Sequence, residues 1–374
     1  MTLISFLIAI LILVGFHEFG HYIVAKWCGI AVERFSIGFG PVLWRKKSNK
    51  PLATEFVISA IPLGGYVKMI DTRTHENLSA EQTSKAFDQQ SLYKRSLVVI
   101  AGPLANFLLA WVFLFGLYLS GPLQVKAVLE EPQANSIAAI SGLVKGDEVR
   151  GFASLPHDSD GVDLDLEFTS IDSWNRLRWK LLKSILSQEG FVLQVAHADS
   201  GDSRVVFDHP EIQSLNMKND IFGQLGLNLS KNLSNVAFQL DIGIFESIER
   251  AYERVFDISY VSVLSIKALL TGQASFSQIS GPIGIASMAG QSAQSGIVAY
   301  IGFLVLISIS LGIMNLLPLP MLDGGQLVFD LIELIRGKAV SMEVREFASK
   351  IGVLGILILT GIAVFNDLSR LFHG

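Results

Sequence analysis

The sequence predicts a polytopic α-helical membrane protein with four transmembrane helices, a β-hairpin dipping towards the membrane, and an extramembrane α/β domain. Three observations predict it. The 374 residues are 50% hydrophobic but only 17% charged, whereas soluble domains carry about 25% charged residues. The apolar residues gather into four long runs. Between the second and third runs lies a long stretch of soluble composition. Composition also excludes several classes. The apolar fraction is too high for a disordered chain. One cysteine, Cys28, excludes a disulfide framework and a cysteine-based zinc ribbon. A formal net charge of −5 argues against a nucleic-acid binder.

Residues 1–26 hold the first apolar run, Leu3–Ala25, long enough for a bilayer core that needs roughly 20 residues. It is read as a span and not as a signal peptide. It has no basic leading segment, and His17, Glu18 and His21 stand where a small-residue cleavage site belongs. Residues 27–96 form a loop in which Thr54–Met69 is read as a hairpin, with Gly64 and Gly65 inside it. Residues 97–121 carry the second run, Leu97–Leu119.

Residues 122–235 form the extramembrane domain, with strand-like runs at Val125–Leu129 and Phe191–Ala196 flanking a helical stretch, Ile171–Leu186. Residues 236–296 follow as a helical region. Within it Val255–Leu270 is apolar but holds Asp257 and Lys267, which favours an amphipathic helix on the membrane surface over a fifth span. The third run is Ile297–Leu317, in residues 297–325. Residues 326–350 form a short loop, and 351–374 hold the fourth run, Ile351–Leu371.

Loop charge sets orientation. Residues 27–95 hold ten Lys/Arg against six Asp/Glu, and the short third loop carries Arg336, Lys338, Arg345 and Lys350. Short basic loops stay in the cytoplasm. Both termini and the domain between spans two and three, which is acidic, then lie on the opposite side.

The chemistry is concentrated at His17-Glu18-Phe19-Gly20-His21, an H-E-x-x-H pattern. On a helix the two histidines share a face and can grip one Zn²⁺, while Glu18 can take a proton from the attacking water. Ionisable residues inside a span are costly and usually functional. Zinc still needs a third protein ligand, and Asp323 in Asn315–Gly325 is the best candidate. Pro318 and Pro320 prevent a regular helix there. Irregular backbone at membrane depth is tolerated where it is buried in protein or lines a wet cavity. The plainer reading of Asp323 is an N-cap for a helix starting near Gln326. Depth supports the metal reading. Leu3 to His17 spans about 21 Å at 1.5 Å per residue, about two thirds of a 30 Å core. The third span ends on that same side.

These pieces resemble the site-2 protease family of intramembrane zinc metalloproteases. The matches are His17–His21, Gly38-Phe39-Gly40-Pro41, Ile61–Tyr66, Ala101–Asn106, Ser280–Ile285 and Asn315–Gly325. They occur in family order and cover nearly the whole chain. The resemblance implies that His17, His21 and Asp323 bind zinc, that Glu18 is the catalytic base, and that Asn315 helps hold the substrate strand. It implies cleavage of an unwound transmembrane segment of a single-span protein, such as an anti-sigma factor, or of signal-peptide remnants, in a bacterial inner membrane. The free edge of the hairpin around Gly64 and Gly65 would pair with the unwound segment, and the broken stretch at Pro318 and Pro320 would clamp its other side. Residues 135–149, NSIAAISGLVKGDEV, resemble the entry of a PDZ domain, a fold that can take a peptide ligand by strand addition. Members of this kind usually carry two tandem PDZ domains, and residues 122–235 have room for about one.

Two other readings compete. A membrane metal transporter also places His and Asp in spans, but it needs no Glu between two histidines, and it usually shows internal repeats. A non-catalytic PDZ-bearing receptor does not need an intact H-E-x-x-H with Asp323.

Overall fold

The structure, a computed structural model, describes residues 2–49, 52–75, 77–155, 166–197, 201–217, 220–230 and 236–373. The chain divides into two compact units, Met1–Leu114 with Ile279–Gly374, and Phe115–Gln278.

The first unit opens with helix α1 (Thr2–Trp27), whose buried residues Ser5, Ala9, Leu13, His17, His21 and Ala25 form one stripe at intervals of four. Residues four apart are near neighbours on a helix, and at about 3.6 residues per turn the stripe winds gradually around it. Two long strands follow, β1 (Val32–Lys46) and β2 (Glu55–Met69). The hairpin expected at Thr54–Met69 takes in the preceding strand as well: both halves of β2 pair with β1. Gly64 and Gly65 lie within β2, and the glycines and proline of Gly38–Pro41 mask the strand pattern of β1. Phe35 faces Val67 and Ile37 faces Gly65, while the same two residues face Phe56 and Ile58 in a second register. Val32–Ile37 is therefore interior, and Gly65–Met69 pairs with β1 through that segment alone among the described residues. A short α2 (Ala80–Ser84) precedes the long α3 (Leu92–Leu119).

The second unit is built on a four-stranded antiparallel sheet. Its elements are β3 (Leu123–Val125), α4 (Ile137–Ile140), β4 (Glu148–Ser154), β5 (Thr169–Ser170), α5 (Trp174–Ser187), β6 (Phe191–His197), β7 (Gly201–Phe207), α6 (His209–Gln213), α7 (Ile221–Leu225), β8 (Ala237–Gln239) and α8 (Ile244–Leu270). The sheet order is β5-β4-β6-β7, and β3 pairs with β8 beside it. Ser173 caps α5 by accepting a hydrogen bond from the Arg176 amide. Leu177, Leu181 and Ile185 on α5 then pack with Phe191, Leu193 and Phe207 in the core. Helix α8 runs continuously from Ile244, and ion pairs join it to α5. Lys180 reaches Glu253 at 2.6 Å and Asp257 at 3.3 Å. Asp257, which interrupts an apolar run, is thus paired.

The first unit resumes with α9 (Pro282–Gln294), α10 (Ile297–Leu316), α11 (Asp323–Arg336) and α12 (Met342–His373). Asp367 of α12 accepts hydrogen bonds from the Gly281 and Gly284 amides at 3.0 and 2.9 Å, satisfying the start of α9. Among the described residues, four helices are long and apolar enough to cross a membrane: Thr2–Trp27, Leu92–Leu119, Ile297–Leu316 and Met342–Phe372. They coincide with the four apolar runs. Two begin well before the runs do, because Tyr93–Ser96 and Glu343–Lys350 are mostly residues that a helix accepts although a bilayer does not.

Candidate metal centre

His17 and His21 are both buried, at 8% exposure each, one turn apart on the inner stripe of α1. Helix α3 crosses this stripe closely. A Cβ on Gly102 would lie 2.2 Å from His21 Nε2 and 2.8 Å from His17 Cε1, so only glycine fits there. The ring nitrogens that face away from the centre are also engaged. His21 Nδ1 lies 2.8 Å from the Val98 carbonyl, and His17 Nδ1 lies 3.2 Å from Asn106 Nδ2. A backbone carbonyl can only accept, so His21 Nδ1 carries the proton and its Nε2 lone pair is free for a metal.

Asp323 reaches the same point from a break between helices. Helix α10 ends at Leu316, Leu317 is extended, and Pro318 and Pro320 exclude a helical continuation. Helix α11 begins at Asp323 itself, capped by Leu322 with no side-chain bond. Asp323 is therefore the first helical residue and not an N-cap. A Cβ on Gly324 would lie 2.2 Å from the Leu317 carbonyl oxygen, so the chain can double back tightly only with glycine at that place. One face of α11 is then anchored by polar groups. Asp330 accepts from Ser96 at 3.0 Å and from Gln326 at 2.8 Å, and Glu333 pairs with Arg95 at 2.6 Å. These positions follow Asp323 along one side of the helix and hold its first turn in place.

Three ligand atoms converge. His17 Nε2 is 3.2 Å from His21 Nε2, and Asp323 Oδ2 is 3.3 and 3.4 Å from the two nitrogens. A tetrahedral zinc with bonds of about 2.0–2.1 Å sets its ligand atoms about 3.3 Å apart. The triangle fits that edge length, and two imidazoles with one carboxylate are a usual donor set for catalytic zinc.

An open cleft of about 740 Å³ includes His17, Glu18, His21, Asn315 and Asp323 in its lining, with Gly65, Tyr66, Val67 and Met69 of β2. Val67 and Glu18 line the same stretch of the cleft. A Cβ on Gly65 would lie 2.9 Å from Glu18 Cγ, so the strand edge lies directly on this side chain. Asn315 Nδ2 stands 3.5 Å from His17 Nε2. The other three candidate residues do not line the cleft. Gly64 packs against the Phe39 ring, and Pro320 lies against Gly352 of α12. Pro318 is exposed. Sequence reasoning missed Gly102, Asn106 and the Val98 carbonyl as parts of the site. Asn106 left a signal, because a lone amide inside an apolar helix calls for a partner. Val98 acts through its backbone and left none.

Comparison with known proteins agrees with this geometry. The model of peptidase family M50 matches residues 5–359. The chain is 36% identical to the regulator of sigma E protease of Haemophilus influenzae, over 98% of both chains. It is 33% identical to protease RseP of Yersinia pestis, over 99% of both. It is 32% identical to the regulator of sigma-E protease RseP of Escherichia coli K12, over 99% of this chain and 98% of that one. The first alignment runs over 438 positions, so the relative carries at least 64 residues with no counterpart among these 374.

Proposed function

The chain belongs to peptidase family M50, and from that premise we propose that it is an intramembrane zinc metalloprotease. It hydrolyses a peptide bond in an unwound transmembrane segment of a single-span protein. The observation that carries this reading is the triangle of His17, His21 and Asp323 with Glu18 beside it. The names of its relatives point to an anti-sigma factor as substrate, within regulated intramembrane proteolysis.

A peptide bond in a membrane helix is shielded by its own hydrogen bonds, so the segment must unwind before water reaches it. The one-sided edge Gly65–Met69 offers backbone groups for an extended segment to pair with, beside Glu18. Asn315 faces the cleft from the opposite element and holds the segment's other side. When bound, zinc supplies Lewis acidity, which makes water nucleophilic near neutral pH and draws charge from the scissile carbonyl. Glu18 takes the proton of the attacking water and returns it to the leaving amine. The exposed Phe39, Leu43, Trp44 and Ile61 of the strand pair suit a hairpin that dips into lipid.

The basic short loops favour a bacterial inner membrane orientation with both termini and the second unit in the periplasm. We read that unit as one PDZ-like domain, supported by α4, the Gly146-Asp147 turn and capped α5. Its peptide ligand would add to a strand edge.

The test is metal analysis of the purified chain, followed by incubation with a single-span substrate in detergent. Cleavage inside the substrate's apolar segment, stopped by a chelator and restored by zinc, is the expected result. Cleavage that persists after zinc has been stripped would reject it.

A further inference from the structure

Asn106 sits in the middle of α3, wholly buried, with its side chain against His17. As placed, its Nδ2 faces His17 Nδ1 at 3.2 Å, while its Oδ1 is buried with no hydrogen-bond partner. An amide nitrogen can only donate. That contact therefore suits an imidazole whose proton is on Nε2, the nitrogen that points at Asp323 and His21. A metal on Nε2 displaces that proton, and the neutral ring must then carry its proton on Nδ1. Two donors would face each other. A half-turn of the amide about its last bond brings the unpartnered oxygen round to accept the Nδ1–H.

We propose that the Asn106 side-chain oxygen accepts the Nδ1–H of His17 whenever a metal occupies Nε2, and so orients that ligand. The assignment rests on the zinc-site reading above and extends it to a positioning residue. It parallels His21, whose Nδ1 already meets an acceptor, the Val98 carbonyl. The backbone around Asn106 is itself held, because the Ser308 hydroxyl donates to the Asn106 carbonyl at 2.8 Å. The half-turn is thus confined to the side chain, on a held backbone.

The experiment measures zinc affinity of the purified full chain by chelator competition, with no substrate present. Asn106→Leu keeps the volume and removes the acceptor. Asn106→Ala covers the case in which leucine overpacks. Asn106→Asp keeps an acceptor. Loss of an outer partner to a metal-binding histidine weakens affinity about 10–100-fold. That loss is expected for leucine and alanine, with aspartate remaining close to the parent chain. Parent-like affinity in the leucine or alanine variant overturns the assignment, as does an aspartate variant as weak as they are. Ser308→Ala disturbs the same helix contact but leaves the amide; a loss equal to that of Asn106→Ala would show a packing effect and would also overturn it. His17→Ala separates the two levels of inference. If it binds zinc as the parent does, the zinc site itself is wrong, whatever Asn106 does.

Discussion

His17 Nε2 and Asp323 Oδ2 stand 3.3 Å apart, joining the first helix to the helix that follows the third span. Without Asp323 two histidines remain, too few to hold a catalytic zinc firmly. Asp323→Ala is expected to weaken zinc binding by more than about tenfold, the smallest loss typical even of outer partners. Metal content after dialysis against a weak chelator reads this out, and a full complement would remove Asp323 from the ligand set.

Glu18 shares the cleft with both histidines. Glu18→Gln preserves size but cannot accept a proton. General-base catalysis contributes about 10²–10⁴-fold. Cleavage should fall by at least about 10²-fold with zinc content unchanged. Normal turnover of a single-span substrate would show that another group is the base.

Two glycines of α3 should respond oppositely to one methyl group. At Gly102 the added carbon meets His21 Nε2 at 2.2 Å, whereas nothing lies within 4 Å of one at Gly116. Gly102→Ala should displace the histidines and lower zinc affinity. Gly116→Ala should keep zinc and raise stability by up to about 1 kcal/mol through better helix propensity. Equal zinc affinity in the two variants would mean that α3 does not press on the ligands.

In the second unit, burial pushes Glu253 up, but Lys180 and Arg176 outweigh it and leave its pKa below the ordinary carboxylate value. A folded pKa below the unfolded one contributes stability that is present above the unfolded value of about 4.3 and is lost as pH falls through the folded pKa. Glu253→Gln should therefore lower the unfolding temperature at pH 7, and the gap from the parent should close towards acid. Melting curves at pH 7 and in acid test this; a constant gap would contradict it.

Much of this molecule was legible in the sequence because its strongest signals are local. Apolar run length marks a span without knowledge of its neighbours, and His17–His21 declares its geometry through helical spacing alone. Asp323 could be paired with them only by depth and by the break at Pro318 and Pro320. What stayed hidden depends on distant partners. The pairing of β1 with β2 was obscured because glycines interrupt both strands. The fit of Gly102 against two imidazoles is a property of a helix crossing, and no single segment encodes it. The polar side of α11 was hidden too, since Arg95 and Glu333 meet across 238 positions of chain.

The separation of the ligands along the chain also bears on how the protein is made. Asp323 leaves the ribosome roughly 300 residues after His17 and His21, about fifteen seconds to a minute later at about 5–20 residues per second. Throughout that interval the nascent first helix carries its histidines and Glu18 without the carboxylate that completes the metal triangle. A chain that stops before Asp323 therefore lacks one corner of that triangle.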